Sequence, residues 1–133
     1  MNLGTLLPAH ARYRPNRPAI KISGSEYTFA ELNAEVNRLA NALLAAGITK
    51  GDKVSMVMTN RLEFVLMYSA VAKTGIVIVP VSTLLNEMAL KRLLADADSV
   101  LVIADASYAG ILRDIRCNLP AIEPDRFILA GVD

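Results

Sequence analysis

The chain holds one histidine and one cysteine, residue types that often serve as bases, nucleophiles and zinc ligands. His10 lies near Arg12 and Arg14, with no second histidine or cysteine at metal-ligand spacing, which is typical of a solvated surface side chain. The sequence predicts no histidine close to Cys117 that could act as its base, so a thiol nucleophile is not expected. A single cysteine also excludes an internal disulfide, and no serine stands in a G-x-S-x-G turn.

The segment 47–53 (GITKGDK) is superficially similar to a phosphate-binding loop. Its two glycines are one residue too close for that motif, and Asp52 would place a negative charge where a phosphate must sit. The segment is therefore interpreted as a helix C-cap followed by a turn. No G-x-G-x-x-G fingerprint occurs, which argues against a small dinucleotide-binding domain.

Ligands of α/β sheets bind at the carboxyl ends of the strands, and the polar residues at those places are few. Thr59 and Asn60 follow one apolar run, Ser82 follows another and Asp105 a third. Asn60 has the residue type of a helix N-cap, and Asp105 that of a turn residue or cap. None of these makes a catalytic group alone, so the sequence predicts no catalytic, cofactor-binding or metal-binding residue in this chain.

The elements that would position such residues alternate between strands and helices. The runs 53–58, 76–81 and 100–103 are apolar on both faces, which indicates an α/β fold with a mostly parallel sheet flanked by helices on both faces. A small N-terminal hairpin is predicted from 19–23 and 26–27, turning at 24–25. The other predicted elements are helices at 3–13, 61–74, 87–97 and 107–116, and a last strand at 127–130.

The clearest helix is predicted to begin at Thr28 and to end at Gly47. Thr28 and Glu31 have the spacing of a capping box, in which each side chain satisfies a backbone N–H of the other residue. Gly47 suits the left-handed position that follows a helix. The apolar stripe of this helix consists of Leu32, Val36, Leu39 and Leu43.

Composition limits the partners. A net charge of +1 gives no strong field toward nucleic acid or anionic lipid. The apolar share of 53% exceeds what one small domain usually needs, which leaves room for a partner domain or a homo-oligomer interface. The apolar stretch 62–81 contains Glu63 and Lys73 and breaks at Gly75, so a buried helix and strand are expected rather than a membrane span. With one cysteine and no signal peptide, the cytoplasm is the expected compartment.

Several segments, in order, resemble the adenylate-forming superfamily, which includes acyl-CoA synthetases, aryl-CoA ligases, peptide-synthetase adenylation domains and luciferases. The resemblance covers about residues 3–133, and the helix from Glu87 and the strand 100–103 also fall in family order. One departure is Ser82, where many acyl-CoA ligases carry Asn. The segments are 17–20 (RPAI), 27–32 (YTFAEL), 46–54 (AGITKGDKV), 60–64 (NRLEF), 70–75 (AVAKTG) and 79–82 (VPVS).

The resemblance implies an ATP-dependent carboxylic acid:CoA ligase with a place in fatty acid metabolism. In that family a carboxylate attacks the α-phosphate of ATP, pyrophosphate leaves, and a thiol then displaces AMP. The resemblance also implies Mg²⁺, a later Ser/Thr/Gly-rich loop that ends in Pro-Lys, and a lysine from a C-terminal subdomain. Neither the loop nor the lysine lies in residues 1–133. These residues are therefore expected to be an N-terminal subdomain that is inactive alone and has the rest of the enzyme as its partner.

Two alternatives stay open at this point. The chain could be a self-standing, non-catalytic α/β binding or interaction module that reuses the same scaffold. The acceptor thiol could belong to coenzyme A, which the resemblance favours, or to a carrier protein. The carboxylic acid cannot be read from these residues.

Overall fold

The computed structural model describes residues 2–131, which divide into two units. Residues 2–50 and 60–76 form what we call the helical unit, and residues 51–59 and 77–131 form the sheet unit. In chain order the elements are α1 (Leu6–Tyr13), β1 (Pro18–Ile22), β2 (Ser25–Thr28), α2 (Phe29–Ala45), β3 (Lys53–Val57), α3 (Leu62–Thr74), β4 (Val77–Pro80), α4 (Glu87–Asp96), β5 (Ser99–Asp105), α5 (Ala109–Arg116) and β6 (Phe127–Ala130). Short 3-10 turns at Leu3–Thr5, Ala106–Tyr108 and Pro124–Arg126 precede α1, α5 and β6.

The start of α2 is fixed by the predicted capping box. Thr28 Oγ1 accepts a hydrogen bond from the Glu31 backbone N–H at 3.3 Å, and Glu31 Oε2 accepts one from the Thr28 N–H at 2.8 Å. These bonds satisfy donors that the first turn of a helix otherwise leaves free. The predicted start of this helix is confirmed.

A Schellman motif ends α2. Gly47 has φ of +79°, and its N–H donates to the Leu44 carbonyl at 3.0 Å. The N–H of the next residue, Ile48, donates to the Leu43 carbonyl at 3.1 Å, and both side chains are buried. These two hydrogen bonds and the left-handed glycine define the motif, so the interpretation of Gly47 as a helix stop is confirmed.

The start of α3 differs from the prediction. The N-cap position is taken by Arg61 rather than Asn60, and no side chain caps the helix. The Arg61 guanidinium instead bonds Glu63 twice, from Nε at 2.8 Å and from Nη2 at 3.0 Å. Glu63 in the first turn is favourable because the N-terminal end of a helix carries partial positive charge. The prediction that Asn60 caps this helix is therefore wrong.

A lysine joins α3 to α2. Lys73 Nζ donates to Asn33 Oδ1 at 2.5 Å and to Asn37 Oδ1 at 2.7 Å, and the two asparagines lie one turn apart on α2. Partial burial lowers the pKa of the Lys73 ammonium. The two amide oxygens supply acceptors for an ammonium group that has lost part of its hydration.

The N-terminal hairpin pairs β1 with β2 in antiparallel fashion. Ile22 lies opposite Ser25, so the two turn residues are Ser23 and Gly24, with φ of +50° and +81°. Positive φ at both positions is typical of a type I′ turn, which matches the twist of the strands. The predicted hairpin is confirmed, and its turn lies one residue earlier than expected.

The sheet unit contains four parallel strands in the order β4-β3-β5-β6. The predicted α/β class, with a parallel sheet, helices and an N-terminal hairpin, is confirmed. One polar pair lies within the apolar strands: Ser55 of β3 and Ser99 of β5 are both buried, and their hydroxyl oxygens are 2.7 Å apart. Each hydroxyl therefore meets a partner, which avoids the cost of an unsatisfied buried polar group.

The core of the sheet unit lies between its strands, α4, α5 and the segment after α5. Leu119 and Ile122 belong to that segment, and both are buried although they lie outside any regular element. The buried members of this core are Val57, Val81, Leu90, Leu94, Val102, Ala104, Leu112, Ile115, Leu119 and Ile122.

The apolar stretch 62–81 is divided between two elements. Helix α3 ends at Thr74, Gly75 follows with φ of +76°, and β4 begins at Val77. Within residues 2–131, no helix has both the length and the apolar character to cross a membrane.

Candidate functional site

The carboxyl edge of the parallel sheet is the candidate site that the fold itself offers. Strands β3, β4 and β5 end there at Val57, Pro80 and Asp105. All three strand ends, and the loop residues Thr59 and Thr83, belong to the sheet unit.

Asp105 connects two of these strand ends. Its side chain is 8% exposed, and Oδ2 accepts hydrogen bonds from the Thr59 N–H at 2.8 Å and from Thr59 Oγ1 at 3.0 Å. Asp105 occupies the N-cap position of the Ala106–Tyr108 turn, but its side chain makes no capping bond there. The predicted cap position is confirmed, but the side chain bonds Thr59 instead of capping the turn. The carboxylate fixes the loop that leaves β3, 46 positions away in the sequence.

A second bond ties the loop after β4 to the segment after β5. The Tyr108 hydroxyl donates to the Thr83 carbonyl at 2.8 Å. Ser82 Oγ accepts a bond from the N–H of Leu84 at 3.2 Å, so its hydroxyl serves its own loop. The Val81 N–H continues the strand pairing to the Met56 carbonyl at 2.9 Å. The three loops at this edge are thus held by hydrogen bonds among themselves.

This arrangement is suited to holding loops in place. Of the four polar residues that the sequence placed at strand ends, Thr59, Ser82 and Asp105 are each engaged in one of the bonds above, and Asn60 belongs to the helical unit. In the part of the chain that the structure describes, no three His, Cys, Asp or Glu side chains converge to hold a metal ion.

The two residues that most often carry chemistry lie elsewhere. His10 is exposed on α1 and stacks on Phe29, with ring centroids 4.9 Å apart. Cys117 is exposed directly after α5. In 47–53, Gly47 completes the helix stop and Gly51 lies in a separate turn with φ of +95°, so the segment forms a helix C-cap and a turn as expected.

Tyr108 is the site residue that sequence reasoning missed. It lies in an irregular turn, and its bond partner is a backbone carbonyl 25 positions earlier. Because every residue has a backbone carbonyl, the residue types gave no signal for this contact.

Comparison with known proteins decides the family. The sequence pattern of the family described as AMP-binding enzyme matches residues 7–126. The chain belongs to the AMP-binding enzyme family. This match confirms the resemblance that was based on six sequence segments in the family's order.

Curated relatives of this chain are ligases. The long-chain-fatty-acid–CoA ligase FadD13 of Mycobacterium tuberculosis is 36% identical over 119 residues, which are 88% of this chain and 24% of the relative. The fatty acid–[acyl-carrier-protein] ligase ScoC of Streptomyces coeruleorubidus is 29% identical over 122 residues, which are 92% of this chain and 23% of the relative. The chain therefore spans about a quarter of the length of these curated relatives.

The fold is similar to that of solved ligases. The N-terminal domain of FACL13 from Mycobacterium tuberculosis superposes with a TM-score of 0.89 at 33% identity, over 97% of this chain and 33% of that chain. The chain corresponds to the N-terminal part of fatty acid or carboxylic acid CoA ligases.

Proposed function

We propose that residues 1–133 are an N-terminal subdomain of an ATP-dependent carboxylic acid:coenzyme A ligase, and that their own role is structural. The family match over residues 7–126 carries this proposal. The relatives are about four times as long as the matched segment, which supports a chain that works as one part of a larger ligase.

The carboxyl edge of the sheet supports a scaffold role. The Asp105–Thr59 and Tyr108–Thr83 bonds hold three successive loops by contacts within the sheet unit. Groups that are already paired with each other fix a geometry more readily than they bind a phosphate, because a ligand would have to displace those bonds. We assign no ATP, magnesium or coenzyme A contact to these residues.

The edge strand supports a larger assembly. β6 pairs with β5 on one side only among the described residues, and Ile128 on it is 45% exposed. A groove of about 330 Å³ lies beside it, lined in part by Leu112, Phe127 and Leu129. An apolar strand edge with a groove beside it is a surface that proteins usually cover. The rest of the ligase is the partner we propose for it.

The proposed reaction belongs to the whole ligase. A carboxylate oxygen bonds to the α-phosphorus of ATP and pyrophosphate leaves, and a thiol sulfur then bonds to the acyl carbon and AMP leaves. A fatty acid is the acid class that the names of both relatives support. Coenzyme A is the acceptor we favour, because the relative with 36% identity is named as a CoA ligase and the one with 29% as a carrier-protein ligase.

A chimera tests this assignment. The 119-residue matched segment of FadD13 is replaced by the corresponding residues of this chain, and fatty-acid-dependent ATP–pyrophosphate exchange is measured. If this chain is the equivalent scaffold, the chimera folds and retains exchange activity. Val57→Asp in the chimera is the negative control, because it places a charge at a fully buried strand position and should abolish folding.

Two results would contradict the proposal. A chimera that folds with a cooperative transition but gives no exchange would favour the alternative, a self-standing and non-catalytic α/β module. Exchange by the isolated 133-residue chain would show that the chain carries catalytic groups of its own.

A further inference from the structure

A groove lies on one face of the sheet unit, between α5 and β6. Its volume is about 330 Å³. Side chains two positions apart on a strand share a face, and both β6 side chains in the groove are half-buried against the core of the sheet unit. We call the groove, with the five residues that define it here, the α5–β6 groove. These residues are Leu112, Arg113 and Arg116 of α5 and Phe127 and Leu129 of β6.

The α5–β6 groove continues a layer of helices. α4 connects β4 to β5 and α5 connects β5 to β6, and both steps run in the same direction along the strand order β4-β3-β5-β6. Right-handed crossovers that run in one direction place their helices on the same face of a sheet. Leu94 of α4 and Ile115 of α5 accordingly belong to one core. The groove is therefore the strip beyond α5 where a further helix of this layer would pack on β6.

The wall that α5 contributes is positively charged. Arg113 and Arg116 are exposed, and among residues 2–131 neither side chain takes part in an ion pair or a hydrogen bond. Glu123 and Asp125, in the turn before β6, are exposed as well and pair with neither arginine in the part of the chain that the structure describes. The two guanidinium groups can therefore take a carboxylate from another segment, which a guanidinium binds through two parallel N–H groups.

We propose that the α5–β6 groove binds an amphipathic helix from the rest of the ligase. The apolar side of this helix lies on the two β6 side chains, and a carboxylate at its edge pairs with the two arginines of α5. The place of the groove in the layer argues for a helix, and the charge of its wall argues for an acidic one. The inference rests on the proposed function, because it needs the longer ligase of which this chain would be about a quarter.

Charge and entropy argue against a second copy in this groove. A two-fold contact through the same surface would bring four guanidinium groups together with no carboxylate between them. A helix of the same polypeptide also binds without the loss of translational and rotational freedom that association costs. The rest of the same chain is therefore the source of the helix in this proposal.

Cross-linking of the protein at its full natural length tests the inference. Arg113→Lys and Arg116→Lys, made separately, keep the charge and introduce an amine that a carbodiimide joins to a carboxylate in contact with it. Peptide mass spectrometry should find a link from each position to one and the same helix outside residues 1–133. Arg92→Lys in α4 is the matched control. Arg92 is exposed and does not line the groove, so this variant should give no link to that helix.

Charge reversal gives a second readout. Arg113→Glu with Arg116→Glu should raise the rate of amide hydrogen exchange in the linked helix by about fivefold, because repulsion replaces the ion pairs. Changing the linked carboxylate to lysine in that variant should restore the slow rate. Lys91→Glu with Arg92→Glu makes the same charge change on α4 and should leave the rate in the linked helix within about twofold of that in the unmodified protein.

Three cross-linking results would overturn the inference: a folded natural-length protein that gives no link, links only to Glu123 or Asp125, or links only between two copies. An unchanged rate of amide exchange in the linked helix after charge reversal would contradict it too.

ATP–pyrophosphate exchange separates this inference from the ligase assignment. A natural-length protein that catalyses ATP–pyrophosphate exchange but gives no link overturns only the partner proposed for the groove. A protein that gives the link but catalyses no such reaction overturns only the ligase assignment.

Discussion

Removing the Asp105 carboxylate should loosen the carboxyl edge of the sheet. Asp105→Ala removes two charge-assisted hydrogen bonds, to the Thr59 N–H and to Thr59 Oγ1. A bond to a charged group contributes about 1.5–3 kcal/mol, and water can reach the vacated N–H in part, so we expect a loss of about 2–4 kcal/mol in the free energy of unfolding. Thr59→Val removes only the hydroxyl bond at similar volume and should cost about 1–1.5 kcal/mol.

A double-mutant cycle in urea, followed by far-UV circular dichroism, measures the pair. Once Asp105 is Ala, Thr59→Val has no bond left to remove, so the cycle should give a coupling energy of about 1 kcal/mol. Thr59→Ser is the matched control because it keeps the hydroxyl. Amide hydrogen exchange gives a local readout: the Thr59 N–H should exchange faster in Asp105→Ala and at the original rate in Thr59→Ser.

Additive effects of the two substitutions would refute this reasoning. So would an Asp105→Ala variant as stable as the unmodified chain, with unchanged exchange of the Thr59 amide. Either result would mean that the bonds at this edge do not hold the loop after β3.

Three other predictions concern the helical unit. Hydrogen bonds from the Thr28 backbone N–H and, to a smaller extent, from the Thr28 side chain lower the pKa of Glu31 below its ordinary 4.5. The capping box therefore stabilises the folded chain above that pH, and this stabilisation is lost as acid protonates the carboxylate in the folded state. The difference in Tm between the unmodified chain and Glu31→Gln should therefore shrink as the pH falls below 4.5. Lys73→Met should lower the unfolding free energy by about 1 kcal/mol in urea, since two amide oxygens lose their donor; unchanged stability would contradict the link. Gly75→Ala should cost more than Gly51→Ala, because both have positive φ but only at Gly75 would the new methyl group meet a side chain, at 2.8 Å; equal losses in Tm would contradict this.

Local signals account for the part of the fold that the sequence predicted. The capping box at Thr28 and the helix stop at Gly47 are interactions within a few residues, and both are present. The apolar runs predicted the strands because both faces of a parallel sheet are buried. Three of the four residues predicted for the apolar stripe of α2, Leu32, Val36 and Leu43, are buried. Leu39 is only half-buried, and its neighbour Ala40 is buried instead.

Distant contacts account for the part that was missed. Asp105 bonds a residue 46 positions earlier, and Tyr108 a carbonyl 25 positions earlier, so neither leaves a local pattern. Asn60 has the right residue type for a cap, but the helix begins at Leu62 and the cap position falls on Arg61. Leu119 and Ile122 are buried in an irregular segment, where no periodicity marks burial.

Carboxylic-acid-dependent ATP–pyrophosphate exchange by the protein at its full natural length tests the central claim most directly. Our account predicts exchange with a fatty acid in the natural-length protein, and none by residues 1–133 alone. A natural-length protein that is folded but gives no exchange with any carboxylic acid would contradict the ligase assignment, and exchange by residues 1–133 would contradict the scaffold role.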